Sequence, residues 1–252
     1  MLWHQELSHF NEKARWALDH KRIAHVRRPL LPGAHLLVCR RLTGGRCETT
    51  PVLELDGRAI GESAAIIAEL ERRWPNPPLY PADPDARRRA LELEALCDEE
   101  IGPHVRRATY ENLLPRPDLL LPSFLHNQPP AARALLRAVF PVLRVGMRER
   151  FQVTAERAAE SRARVLAAVQ RLEDELGGRD YLVDDRFSVA DLSAAALLYP
   201  IARPPTFPYP IPPVPPPSQA FIDELSARPL GQWVARIYER HREPAGARRT
   251  LR

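Results

Sequence analysis

The chain has 252 residues, of which 44% are hydrophobic, and it carries a formal net charge of +5. That length suits two domains with real cores, and the composition excludes a disordered polymer. Lysine occurs only at Lys13 and Lys21, and the arginines alternate with acids, as in Glu69-Leu-Glu-Arg-Arg, so the positive balance reads as solvated helix faces and not as a nucleic-acid footprint.

Leu2 to Gln5 is a short predicted strand, and no basic segment followed by an apolar run marks a signal peptide at the start. Asn11 to His20 has helical spacing, with Ala14, Ala17 and Leu18 on one side. Ala24 to Arg28 is a second strand, stopped by Pro29. Pro32 to Glu48 is ambiguous, with Gly33, Gly44 and Gly45 bracketing a short helix. Pro51 to Leu55 and Arg58 to Ile60 form a hairpin across Asp56-Gly57, because that dipeptide suits a tight two-residue turn. Ser63 to Trp74 is a helix with Ile66, Ile67 and Leu70 inward. The order is β-α-β-α-β-β-α.

WPNPPLYPADPDA is too rich in proline for a regular element and reads as a linker. Beyond it the pattern is helical. Leu93, Leu96, Ile101, Val105 and Ala108 share one spacing; Val165, Leu166, Val169, Leu172 and Leu176 share another, closed by Gly177-Gly178. FSVAD is a helix start in which Ser188 and Asp191 form a capping box, ahead of the small-residue helix LSAAALLYP. RPPTFPYPIPPVPPP reads as a loop packed by its aromatics, and a last helical stretch carries Phe221, Leu225, Val234, Ile237 and Tyr238. Arg87-Arg88-Arg89 and the terminal ARRTLR are the short basic clusters. Cys39, Cys47 and Cys97 form no CxxC pair, which argues against a zinc site or a disulfide framework. No apolar run is long enough to span a bilayer.

Four stretches in this order, SHFNEKARWAL, TTPVLELDG, GESAAIIAELE and FSVADLSAAAL, resemble the glutathione transferase family. The resemblance implies a thioredoxin-like N-terminal domain over residues 1–80, a linker over 81–88 and an all-helical substrate-binding domain over 89–252. It also implies a cytoplasmic homodimer that takes glutathione as co-substrate and a small hydrophobic electrophile, with no nucleic-acid, membrane or metal partner.

Residue by residue, the resemblance makes Ser8 the donor to the glutathione sulfur. The plainer role for a serine before a helix is an N-cap, and the two uses compete for one hydroxyl. A donor that lowers a thiol pKa from about 8.5 by one to two units contributes about 1.4 to 2.7 kcal/mol toward the thiolate. Thr50 and Pro51 match the family's cis-proline strand start, whose main chain holds the glutathione backbone; otherwise Pro51 is simply the first residue of a strand. Glu62 and Ser63 match the helix start that holds the γ-glutamyl end. Free helix amides suit its carboxylate and an acid suits its ammonium, and simple capping with a solvated Glu62 is the alternative.

His9 stands where many relatives have proline and is expected at the surface. His35, Arg41 and Arg46 are equivalent candidates for the glycine carboxylate. His104, Tyr110 and the FPYP stretch are expected walls of the acceptor pocket. A family fold that binds without catalysing, or that runs a thiol-dependent isomerisation, dehalogenation or peroxide reduction, fits the same residues.

Overall fold

The computed structural model describes residues 1–242; the terminal ARRTLR cluster lies outside them. Strand β1 (Leu2–His4) leads to helix α1 (His9–His20), strand β2 (Arg27–Pro29) and helix α2 (Ala34–Leu42). Strands β3 (Val52–Leu55) and β4 (Arg58–Gly61) then precede helix α3 (Ser63–Arg73). This is the predicted order, and it resolves the ambiguous stretch as α2. The sheet runs β2-β1-β3-β4, with β1 parallel to β2 and β3 antiparallel to both neighbours. Asp56 and Gly57 both have positive φ, 48° and 75°. That conformation matches the twist of a hairpin turn, which is why Asp-Gly marks it in the sequence.

Among the described residues, the regular elements beyond α3 are all helices. Helix α4 (Pro84–Leu96) starts inside the stretch expected as linker, where the Asp83 carboxylate accepts from the Asp85 and Ala86 amides. A five-residue π-helical turn, Cys97–Ile101, joins it to α5 (Gly102–Leu113). Then come α6 (Pro117–Phe124), α7 (Pro130–Arg150), α8 (Ala155–Leu176), α9 (Val189–Ala202), α10 (Pro216–Ala227) and α11 (Pro229–His241). The last helical stretch of the sequence is thus two helices, broken at Arg228-Pro229. The Ser188–Asp191 capping box forms as expected, and α9 is buried almost all round. The proline-rich segment packs through Phe207, whose ring stacks on Tyr199 at 3.8 Å between centroids. The fold is a thioredoxin-like sheet domain followed by an all-helical one.

The two parts share one core. Leu2, Trp16 and Ile66 from the first join Ile101, Leu192 and Trp233 from the second. Gly102 eases this on one side: a Cβ there would sit 2.3 Å from the tip of the Phe10 ring, so a larger residue would have to displace that ring. Polar ties are buried with the apolar ones. Lys13 Nζ meets Glu94 at 2.8 Å and Asp98 at 2.7 Å, and Lys21 Nζ meets Glu71 at 2.6 Å. Arg242 donates from Nε to Glu12 at 2.6 Å and from Nη1 to Asp19 at 2.7 Å. Both lysines are thus spent inside the protein.

Candidate active site

The strand register collects four chain segments at one end of the sheet. Trp3 pairs with Val52, Val52 with Gly61, and His4 with Pro29. The residues just past those pairs therefore emerge side by side: Gln5–Ser8 after β1, Leu30–His35 after β2, Thr50-Pro51 before β3, and Glu62-Ser63 after β4.

Ser8 occupies the N-cap position of α1, yet its side chain makes no capping bond. Only its carbonyl serves the helix, accepting from the Glu12 amide at 2.9 Å. The loop that presents it is held from three directions. Arg15 donates to the Gln5 and Glu6 carbonyls, each at 3.0 Å. The Tyr199 hydroxyl, on α9, donates to the Leu7 carbonyl. Asn11 Oδ1 accepts from the Gln5 amide at 3.3 Å. A hydroxyl left over from capping, on a loop this constrained, is free to face a ligand.

The next residue departs from expectation. His9 is buried and not at the surface, with Nε2–H donating to the Gly102 carbonyl at 2.9 Å. Burial, reinforced by the Arg106 charge, pushes its pKa down to about 3, so it is a neutral structural link between α1 and α5.

The Thr50-Pro51 peptide is cis. Thr50 is buried, and its hydroxyl is fully used inside the protein: it accepts from Asn11 Nδ2 at 3.0 Å and donates to Gln5 Oε1 at 3.4 Å. Its main chain lies beyond the last ladder pair, so it is not consumed by the sheet. Gln5 continues the chain of contacts to His35, whose Nδ1 accepts from the Gly33 amide at 3.1 Å and from Gln5 Nε2 at 3.4 Å. Of the three candidates for the glycine carboxylate, only His35 joins this network. Arg41 and Arg46 are exposed.

Glu62 precedes α3 with φ of 67°, a left-handed conformation that costs a non-glycine residue about 1–3 kcal/mol. It is exposed, and its carboxylate lies 3.7 Å from the Cys47 thiol. Glu62 is the N-cap of α3 and its side chain makes no capping bond, and Ser63 is buried at the first position of the helix. The first amides of the helix therefore remain open beside an acid, which fits the carboxylate and ammonium of a zwitterion.

Two of the three thiols are poor nucleophiles. All three cysteines are free. Burial pushes Cys39 up to about 11 and Cys97 higher still, while Cys47 donates to the Thr49 carbonyl at 3.2 Å.

Two cavities meet at Gln5, Leu7, Ser8, Tyr110 and Phe151. One, of about 490 Å³, opens between the loop after β2 and helix α7. The other, of about 120 Å³, runs between α5, α9 and the loop before α10. Tyr110 lines both, as expected. The proline-rich wall is Ile211–Pro215, one step beyond FPYP, and His104 is elsewhere, with its Nδ1 3.0 Å from the Ser161 hydroxyl. Gln5, Asn11, Arg106 and Arg203 were not singled out by the sequence. Only Asn11 carried a signal there, as the polar residue opening the predicted first helix.

A cis-proline strand start, an open helix N-terminus and a loop hydroxyl at one sheet end, faced by a helical domain, define a thioredoxin-like protein with a second domain covering its ligand edge. The family model of the glutathione S-transferase N-terminal domain matches residues 2–78, and that of the C-terminal domain matches residues 135–229. Together they take in about two thirds of the chain, which belongs to the glutathione S-transferase family. A maleylpyruvate isomerase from Ralstonia sp. is 36% identical over 66 residues, which is 26% of this chain and 31% of that protein. The matched stretch thus spans under a third of the length of that curated relative. Among solved structures, a glutathione S-transferase from Methylobacterium radiotolerans in complex with glutathione sulfonate is 24% identical, covers 92% of each chain and superposes with a TM-score of 0.55. A beta-etherase from Sphingobium sp. strain SYK-6 is 22% identical, covers 92% of this chain and 97% of its own, and gives a TM-score of 0.61. Among the described residues no helix is long and apolar enough to cross a membrane.

Proposed function

We propose that this chain is a cytoplasmic glutathione-dependent enzyme in which the Ser8 hydroxyl donates to the glutathione sulfur and favours its thiolate. Glutathione supplies the nucleophile, and the protein supplies its activation and placement. The observation that carries this reading is the Ser8 hydroxyl itself: it stands at the N-cap, is not used for capping, and opens where two cavities meet. The main chain of Thr50, beside Pro51, holds the peptide backbone of glutathione. Ser63 and the first amides of α3 hold its γ-glutamyl carboxylate, and Glu62 holds the ammonium. The helical part supplies the cavity for a small electrophile. A homodimer follows the same reading, supported by an apolar stripe on α7 (Leu135, Val139, Val142, Val145) that is exposed on the single chain.

Glutathione-dependent isomerisation is the second reading, favoured by the short stretch of 36% identity to an isomerase. It uses the same thiolate and returns it after the substrate rearranges.

Calorimetric titration of glutathione tests the site. Binding between micromolar and low millimolar is expected, weakened by roughly 1–3 kcal/mol in Ser63→Ala through loss of a charge-assisted hydrogen bond. No binding by the unaltered chain would sink the proposal.

A further inference from the structure

The smaller cavity beside Ser8 contains two arginines and no acid. Arg106, on α5, and Arg203, at the end of α9, line it together with Leu113, Ile211, Val214 and Phe221, and among the described residues no aspartate or glutamate does. Elsewhere in the interior the rule is pairing: Arg15 meets Glu12 at 2.8 Å, and Arg242 meets Glu12 and Asp19. Arg106 breaks it. Its Nε is shielded from solvent and has no hydrogen-bond partner, and its guanidinium lies 4.3 Å from the centroid of the Phe151 ring. The polar groups around it cannot neutralise it. His9 is held neutral, Tyr110 is a phenol, and the other charged neighbours, Arg107 and Arg150, are cations.

Arg203 takes the left-handed C-cap of α9, with φ of 47°. Glycine fills that position without strain, so an arginine there puts a cation into the cavity at a cost in backbone energy. Burial lowers the pKa of both arginines, the direction expected when no anion is at hand. A guanidinium cannot escape by losing its proton near neutrality, so an unpaired buried one favours any anion that can reach it.

The anion is not that of glutathione. Thr50, Pro51, Glu62 and Ser63 lie at the sheet end, and none of them lines this cavity. Ser8 is the meeting point. We infer that the second substrate is a carboxylate-bearing electrophile: its carboxylate pairs with Arg106 and Arg203, its apolar body lies among the side chains of α5 and the Ile211–Pro215 loop, and its reacting carbon points to Ser8. This rests on the proposed function in taking Ser8 as the place of the sulfur and Thr50, Pro51, Glu62 and Ser63 as the residues that hold glutathione.

The test is binding, not turnover. Calorimetry with 3,5-dinitrobenzoate and 3,5-dinitrobenzamide, which have the same shape and no leaving group, compares an anion with its neutral twin. The acid is expected to bind at least about tenfold more tightly than the amide. Arg106→Gln and Arg203→Gln should each remove most of that preference while leaving the amide within about twofold. Arg106→Lys, which keeps the charge, should restore part of it and guards against a merely misfolded Gln variant. S-methylglutathione in the cell should leave the acid's affinity unchanged. Equal affinity for acid and amide, no binding of either, or competition between the acid and S-methylglutathione would each overturn the inference. Glutathione binding without a preference for the acid would remove this inference alone. A preference for the acid in a chain that binds no glutathione would remove the proposed function and leave the anion site standing.

Discussion

Helices α1 and α7 invert the usual rule in opposite directions. His9, Asn11, Glu12, Lys13 and Arg15 fill the first two turns of α1, and all five are buried. On α7, by contrast, Leu135, Val139, Val142 and Val145 lie at helical spacing and are exposed, Val142 at 78%. The charges of α1 are tolerated because each has a partner: Lys13 with Glu94 and Asp98, Arg15 and Arg242 with Glu12. Their burial also fixes the loop that carries Ser8, since Arg15 holds two of its carbonyls. In α1 polar atoms build the site from inside. In α7 apolar atoms are offered outward, where the proposed homodimer would cover them.

The largest effect should come from breaking a shared partner in α1. Glu12→Ala leaves the buried Arg15 guanidinium without an acid and Arg242 with Asp19 alone, and should cost about 3–5 kcal/mol in urea unfolding. A cost below about 1 kcal/mol would show that those charges reach water after all. Next is Ser8→Ala. Because the hydroxyl caps nothing, unfolding stability should hold while turnover with glutathione falls by about 1.4–2.7 kcal/mol in barrier, roughly ten- to a hundredfold, at unchanged glutathione affinity. Full turnover in that variant would remove Ser8 from the chemistry.

His9 gives a smaller, pH-shaped effect. Its pKa is depressed in the folded state, from 6.5 to about 3, so between those values the unfolded chain binds the proton first. The stability contributed by neutral His9 is complete above about pH 6.5 and is lost as the pH falls toward 3. His9→Gln should flatten the acid side of the stability profile over that window, and an unchanged slope would contradict the burial argument. The smallest effect on the fold should come from α7. Leu135→Glu is expected to change unfolding stability by no more than about 0.5 kcal/mol, yet convert a dimer to a monomer in analytical ultracentrifugation. A dimer that survives it would place the interface elsewhere.

This contrast also separates what could be read from the sequence from what could not. The sheet domain was legible because its signals are local, Asp56-Gly57 for the turn and apolar periodicity for α3, and in the helical domain the serine-acid pair marked α9 in the same way. Helices α6 and α7 were not picked out because Pro122 and Pro141 sit inside them, where proline normally argues against a helix, although the apolar residues of α7 recur at helical spacing. The break between α10 and α11 was hidden for the opposite reason, a single residue at Arg228. At the candidate site, Ser8, Thr50, Glu62 and Ser63 could be picked out as residue types in familiar surroundings. Asn11 reads as the polar face of an amphipathic helix until its amide is found on Thr50, 39 positions away. Arg106 is one arginine among many, and only three-dimensional packing shows that it, unlike Arg15, has no acid beside it.

The two lysines have a practical corollary. The chain's only side-chain amines, Lys13 and Lys21, are each locked against carboxylates in helix seams, with side chains fully shielded. Acylating reagents, reductive methylation and isopeptide-forming enzymes all require an accessible amine. At the lysines each would have to wait for a seam to part, while the exposed Met1 α-amine reacts at once. Succinimidyl esters would therefore act as a clock: Lys13 would report how often α1 lifts from α4, and Lys21 how often it lifts from α3.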